Sequence, residues 1–412
     1  MSDPTVSVVI VSRDRPAALV RCLTGVAQLQ YPSFEVVIVA DPGGIAAAEA
    51  WDDGSAIKCV SFDEPNISAA RNLGLTHAAG DIVAFIDDDA VPEPQWLRYL
   101  VAPAVRADVA AMGGFVRGRN GISYQYKART LDTQGMAQPL EVDPFQATVL
   151  VPPKGRGIKT EGTNMAFRRE VLVELGGFDP AYHYFLDETD LNMRLGRAGY
   201  ATAIVPLAEV HHGFAPSAIR RADRVPRDLF EIGASWAVFQ RKHISKDARA
   251  AQWAALRQSE RRRLILHMTA GRLEPRDVRR LMRRLDAGHA EGQTRSFGSA
   301  GLARHAVVPF RRFAAARRAS RFTAVRGLRG KEALAQATRR AAHGTIETVL
   351  VLSRTALFHS VFFNTDGIWV QRGGIFGRSD RAAPLFRLST FARRAERERR
   401  RVEKVRGLNV EN

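Results

Sequence analysis

The chain has 412 residues, 45% apolar and 8% aromatic, an ordinary globular composition with room for one large domain and a second unit. Its formal net charge of +18 is unevenly placed: residues 1–212 carry 18 Lys+Arg against 26 Asp+Glu, whereas residues 213–412 carry 43 against 17. Two distant cysteines, Cys22 and Cys59, exclude a disulfide scaffold or a cysteine zinc site, and Met1-Ser2-Asp3-Pro4 lacks the features of a signal peptide, so reduced thiols in the cytoplasm are expected.

Thr5 to Ser12 reads as a buried strand, Pro16 to Gln28 as a helix, and Phe34 to Ala40 as a second strand ending at Asp41. Ile57 to Phe62, Ser68 to Ala78 and Ile82 to Ile86 repeat the strand, helix, strand pattern. This alternation predicts a mostly parallel sheet with flanking helices. No GxGxxG and no GxxxxGK[ST] is present, which removes the two commonest phosphate loops. The fourth strand stops at Asp87-Asp88-Asp89. Ligands of open α/β sheets bind at the carboxyl ends of strands, so Asp87 and Asp89 stand where a bound Mg²⁺ or Mn²⁺ would face a ligand. A helix N-cap before Val91-Pro92-Glu93 is the competing structural reading.

Farther along, the proline-rich stretch Gln134 to Lys159 is expected to act as a lid. Asp187, Glu188 and Asp190 gather just before the amphipathic segment Leu191 to Gly199, and Asp190 has Arg194 four residues on as a structural partner. Two strand-like pieces, Ala201 to Val205 and Ala208 to Val210, end at His211-His212.

Taken in order, these features resemble the inverting glycosyltransferases of family 2, over about residues 4 to 215. The likeness rests on Ser12-Arg13-Asp14-Arg15, Asp41, Ser68 to Gly74 (SAARNLG), Asp87-x-Asp89, Gly162 to Arg168 (GTNMAFR), Gly177-Phe178-Asp179, and Asp187 to Leu191 followed by Arg194. The resemblance implies a GT-A fold, Rossmann-like, and a nucleotide-sugar donor. It places Ser12, Asp14, Asp41, Arg71, Asp87 and Asp88 at the donor, Asp87, Asp89 and His212 at a divalent metal, and Glu188, with Asp187 second, at the catalytic base. Two departures stand out: the usual Glu-Asp order is reversed at Asp187-Glu188, and Asp41 is followed by Pro42-Gly43 rather than a second acid.

The second half is expected to be basic and mainly helical. Asp223 to His243, Ala248 to Ala287, Leu302 to Ala342 and Ala392 to Arg406 read as helical, Gly288 to Gly301 as a linker, and Asp366 to Arg378 as a short Gly/Trp-rich β-like segment. The expected division is 1–222 for the GT-A domain, 223–290 for a basic helical extension and 291–412 for a basic C-terminal region. Such asymmetric charge points to an anionic partner, with a membrane surface favoured. No motif supports nucleic acid. Ile346 to Phe363, with Glu347, Arg354 and His359, is too interrupted to span a bilayer.

The sequence therefore predicts a metal-dependent transferase that moves a sugar from a nucleotide donor to a hydroxyl of a glycan or lipid-linked acceptor in cell-surface glycoconjugate synthesis. It is expected in the cytoplasm, peripheral on the cytoplasmic face of the inner membrane. The alternatives are a sugar nucleotidyltransferase and a catalytically inactive nucleotide-binding scaffold.

Overall fold

Runs such as Phe34 to Ala40, apolar except for Glu35 and buried at every residue, suit strands covered on both faces. The computed structural model, which describes residues 3–52, 56–213, 215–314 and 318–408, builds them into one large sheet. In chain order the elements begin with β1 (Val6–Ser12), α1 (Pro16–Val26), β2 (Phe34–Ala40), α2 (Pro42–Asp52), β3 (Ile57–Ser61), α3 (Ile67–His77), β4 (Ile82–Asp87), β5 (Ala90–Pro92), α4 (Trp96–Val101) and β6 (Val109–Arg117). They continue with β7 (Tyr124–Tyr126), β8 (Arg129–Leu131), β9 (Ala137–Pro139), β10 (Thr148–Leu150), β11 (Gly157–Lys159), β12 (Met165–Arg168), α5 (Arg169–Glu174), α6 (Asp187–Arg197) and β13 (Ala201–His212). The remainder comprises α7 (Phe230–His243), α8 (Lys246–Thr269), α9 (Pro275–Gly292), β14 (Ser320–Arg326), α10 (Gly330–Ala342), β15 (Ile346–Ser353), β16 (Ser360–Phe363), β17 (Ile368–Gly374) and α11 (Phe391–Arg406).

The main sheet runs β10-β13-β6-β12-β4-β1-β2-β3, with β5 and β7 attached at β13 and β6. β1, β2, β3 and β4 are mutually parallel where they pair, and β12 runs antiparallel between β4 and β6. The two strand pieces expected near 201–210 form the single strand β13, with a register shift between Val205 and Val210. Helix α3 lies close on this sheet because Gly74 has no side chain: a Cβ there would sit 2.5 Å from Val9 Cγ1. That approach carries Arg71 and Asn72, one turn earlier, to the end of the sheet.

Residues 134–159, expected to act as a lid, carry three short strands. β9 and β11 flank β8 in a three-stranded sheet, and β10 pairs with β13. Backbone hydrogen bonding at these three strands holds a proline-rich stretch that the sequence shows only as irregular.

The basic region holds long helices and a second, four-stranded sheet in the order β14-β15-β17-β16. Leu302 to Ala342 is helical only from Gly330, because Ser320 to Arg326 is β14, parallel to β15. Ile346 to Phe363 contributes β15 and β16, and the expected β-like segment holds Ile368 to Gly374, an inner strand between them. No helix among the described residues is long and apolar enough to cross a membrane. The two sheets meet through Val91 and Ile122 packed on Ile346, Val361, Phe363 and Trp369. Beside this contact, Arg406 at the end of α11 forms a buried bidentate ion pair with Glu93, both bonds 2.9 Å.

Candidate functional site

Strand β4 ends at Asp87, and the turn that follows sends three successive carboxylates in different directions. Asp89 turns to β13, where its Oδ1 lies 3.1 Å from His212 Nε2, while its Oδ2 accepts from the Ala215 amide at 2.7 Å. One atom each from Asp87, Asp89 and His212 lie within 4.8 Å of one another, a grouping able to hold a metal ion. The Asp87 side chain keeps 30% of its exposure and faces the neighbouring cavity.

The donor set fits a hard or borderline divalent cation. His212 Nδ1 lies 2.9 Å from Gln125 Oε1, an acceptor, so Nδ1 carries the proton. Nε2 then faces the Asp89 carboxylate at 3.1 Å. A proton or a cation belongs between them. Burial acts to raise the Asp89 carboxyl, but His212, Arg15 and the Ala215 amide outweigh it and hold it well below the usual carboxylate range.

Asp88 takes the opposite course. It is fully buried, accepts from Ser12 Oγ at 2.7 Å and pairs with Arg15 Nη2 at 2.6 Å. Burial, with the nearby Asp89 charge and against the pull of Arg15, pushes its carboxyl up to about 7. Asp88, expected at the donor, spends both carboxylate oxygens on Ser12 and Arg15 of the β1 turn.

A cavity of about 490 Å³ opens in front of Asp87, lined by Ser12, Asp14, Val39, Phe62, Tyr184 and the 216–219 segment among others. Of the residues expected at a donor, Ser12, Asp14 and Asp87 border it. Asp41 and Arg71 do not. Asp41 Oδ1 accepts from the Asp14 amide at 3.3 Å and steadies that residue in its left-handed conformation, φ 59°. Arg71 is buried and reaches Asp87 Oδ1 at 3.4 Å, Gly162 O at 3.2 Å and Asp187 by an ion pair, linking the two acidic centres instead of facing the cavity.

Those second carboxylates open α6. Leu186, just before them, has φ 69°, a strained conformation for a branched residue, costing roughly 1–2 kcal/mol. The turn aims Asp187 at Arg71 and Glu188 at Lys159. Burial lifts the Asp187 carboxyl above its ordinary range against the pull of Arg71, and the Glu188 charge adds to the lift. Burial also acts to lift Glu188, but Lys159 outweighs it and holds Glu188 low. Asp187 is sealed at 3% side-chain exposure, whereas Glu188 keeps 17%. Asp190, third in the row, is structural: it binds Arg194 Nε at 2.8 Å, His243 Nε2 at 2.7 Å and Lys242.

Sequence reasoning passed over Arg15, Gln125 and Lys159. Arg15 stood in a quoted motif without a role, and no pattern marked Gln125 or Lys159, which β7 and β11 bring to the site.

The sequence pattern described as "Glycosyltransferase like family 2" matches residues 4–230. The O-antigen biosynthesis protein RfbC of Myxococcus xanthus is 31% identical over 241 residues, which cover 54% of this chain and 18% of that protein. The glucosyl-dolichyl phosphate glucuronosyltransferase of Haloferax volcanii is 30% identical over 189 residues, 42% of this chain and 56% of that one. This chain thus spans well under two thirds of either relative. Among solved structures, the mannosyltransferase PcManGT from Pyrobaculum calidifontis, in complex with GDP-Man and Mn²⁺, aligns at a TM-score of 0.40 and 18% identity over 71% of this chain and 88% of that one. With a match across more than half its length, on a sheet whose strand ends carry the acidic centres described above, the chain belongs to glycosyltransferase family 2.

Proposed function

We propose that this protein transfers a sugar from a nucleotide-sugar donor to a hydroxyl of a glycan or lipid-linked acceptor, with inversion and dependence on a divalent metal, in cell-surface glycoconjugate synthesis. The observation that carries the reading is the Asp87, Asp89 and His212 grouping at the rim of the cavity bordered by Ser12 and Asp14. The Haloferax relative, named for a glucosyl-dolichyl phosphate, supports an acceptor on a lipid carrier. The positive second half and the exposed Leu357, Phe358 and Phe362 support a seat on the cytoplasmic face of an anionic membrane.

Inversion requires one displacement with one base on the face opposite the leaving group. Glu188 is ionised at neutral pH, partly exposed, and takes the proton of the acceptor hydroxyl as that oxygen bonds the anomeric carbon and the bond to the diphosphate breaks. Lys159 orients the carboxylate, and Arg71 keeps Asp187 fixed beside it. When bound at Asp87, Asp89 and His212, Mg²⁺ or Mn²⁺ supplies charge stabilisation to the departing diphosphate. Val39, Phe62 and Tyr184 give the cavity apolar walls for the nucleoside.

A thermal-shift screen of UDP, GDP and dTDP, with and without Mn²⁺, tests this reading on wild type and Asp89→Ala. One diphosphate should stabilise the wild type only with metal, by about 2.7 kcal/mol at a hundred times its Kd, and leave the variant unmoved. Equal stabilisation of a folded Asp89→Ala protein would remove the metal site from the reading.

A further inference from the structure

A second, larger concavity of about 1360 Å³ lies outside the donor cavity, between the β7–β8 segment and helix α11. Nine of its lining side chains are cationic and three are carboxylates. The helix supplies most of the charge. Arg393, Arg397, Arg400 and Lys404 recur at the spacing of one helical face and extend about 16 Å along it. The opposite face, with Arg394, Glu398 and Arg406, is buried against the second sheet and Glu93, so the row is held rather than free to swing away.

These charges are only partly spent within the protein. Arg400 pairs with Glu396, and Arg397 lies 3.7 Å from Glu398. Lys127, Arg393 and Lys404 have no carboxylate partner among the described residues; Lys127 and Lys404 lie over the Tyr124 and Phe145 rings at 5.2 and 5.6 Å. A fixed row of cations facing aromatic rings across a concave surface suits a ligand that carries phosphate on a body with apolar faces.

The groove also touches the reaction centre through two residues. Gln125, on its wall, is the partner of His212 Nδ1. Arg129, also on its wall, stands opposite Lys159 in the β8–β11 ladder, and Lys159 holds Glu188. The groove wall and the Glu188 carboxylate are thus joined through the β8–β11 ladder. We propose that this groove is the acceptor site, and that the acceptor carries a phosphate or diphosphate seated on the α11 cations. The inference rests on the glycosyltransferase reading for its direction, although the anion site itself is testable alone.

The test is calorimetric titration of the full chain, its donor site filled with Mn²⁺ and the nucleoside diphosphate that stabilises it, with octyl phosphate and with inorganic phosphate. Octyl phosphate should bind. The exposed double reversal Arg393→Glu/Lys404→Glu should weaken it at least tenfold, while Arg262→Glu/Arg279→Glu, on the remote faces of α8 and α9, should change it less than twofold. Octyl phosphate binding far more tightly than inorganic phosphate would identify a lipid-borne source, and equal affinity a phosphorylated glycan. Equal losses in both double variants would show diffuse charge and overturn the proposal. So would no binding, or oligothymidine bound more tightly than octyl phosphate and lost with Arg393 and Lys404. If no nucleoside diphosphate stabilises the wild type, the donor reading fails first, and the same titration without it still decides whether the groove is an anion site.

Discussion

Two adjacent histidines on β13 each meet two carboxylates, and the two clusters have opposite characters. His212 groups with Asp89 and with Asp87, which lines the 490 Å³ cavity, while His211 with Glu93 and Glu209 lies at the packed contact with the C-terminal sheet. Both satisfy the same geometric criterion for a metal site. Their charge environments differ. Glu93 is matched bidentately by Arg406, and Glu209 is held by Arg117 and Tyr124, so the inner cluster is already neutralised by the protein. In the outer cluster Asp87 has a single arginine contact at 3.4 Å and remains 30% exposed, and Arg15 reaches Asp89 only at 3.5 Å. A carboxylate pair is available to a cation when arginines have not already taken its place.

The largest expected effect comes from undoing that neutralisation. Arg406→Leu leaves Glu93 buried at 2% exposure with only His211 beside it, and removing one partner of such a pair typically costs about 3–5 kcal/mol. Urea unfolding should show a loss of that size, and the double variant Arg406→Leu/Glu93→Leu should recover most of it. A single variant as stable as wild type would mean that Glu93 is not an anchor and that the two clusters do not differ as described.

Acid should separate the two regions next. Burial lowers the buried His359 of the C-terminal sheet from 6.5 to about 4, with Arg394 adding to the effect and the Gly374 carbonyl opposing it. Between those pH values the unfolded chain binds the extra proton, so stability rises with pH there and is lost as pH falls from about 6.5 towards 4. The shift corresponds to roughly 3 kcal/mol. His211, lowered by burial, acts with the same sign. Glu93, held low because Arg406 and His211 outweigh its burial, adds loss only below the ordinary carboxylate range. Hydrogen exchange at pH 7 and pH 5 should show β15 and β17 losing protection before β1 and β4. Simultaneous loss would show that the C-terminal sheet is not the acid-sensitive part.

The same contrast explains what could be read in advance. The large sheet was legible because its strands are mostly apolar runs with Asp87 and Asp89 at the end of one of them, whereas His212 joined them only through the family resemblance. Three adjacent acids give no sign in the sequence of which one turns inward, and here it is Asp88. Arg71 and Asp41 show that a residue near a ligand site in sequence can spend its hydrogen bonds on its neighbours. The C-terminal sheet was obscured by its charge: in Ser320 to Arg326 the arginines at 321 and 326 flank a strand core of only four residues, and the run of basic helices around it dominates the pattern. Nothing local marks Arg406 as the partner of Glu93, since the two are joined only by the tertiary fold.

The smallest predicted effect distinguishes the two histidines most directly. Gln125 Oε1 accepts from His212 Nδ1 at 2.9 Å and so holds the ring with Nε2 towards Asp89. Gln125→Leu removes that constraint without touching the grouped atoms, and loss of such an orienting partner typically weakens metal binding 10–100-fold, about 1.4–2.7 kcal/mol. Glu93→Gln alters the inner cluster by a comparable change in polarity and should leave Mn²⁺ affinity within about twofold, because no Mn²⁺ resides there. Paramagnetic titration of Mn²⁺ into both variants measures the two effects side by side. Equal weakening would mean that the inner cluster contributes to the ion's site after all, and an unaffected Gln125→Leu protein would mean that the Asp89–His212 contact is closed by a proton instead of a metal.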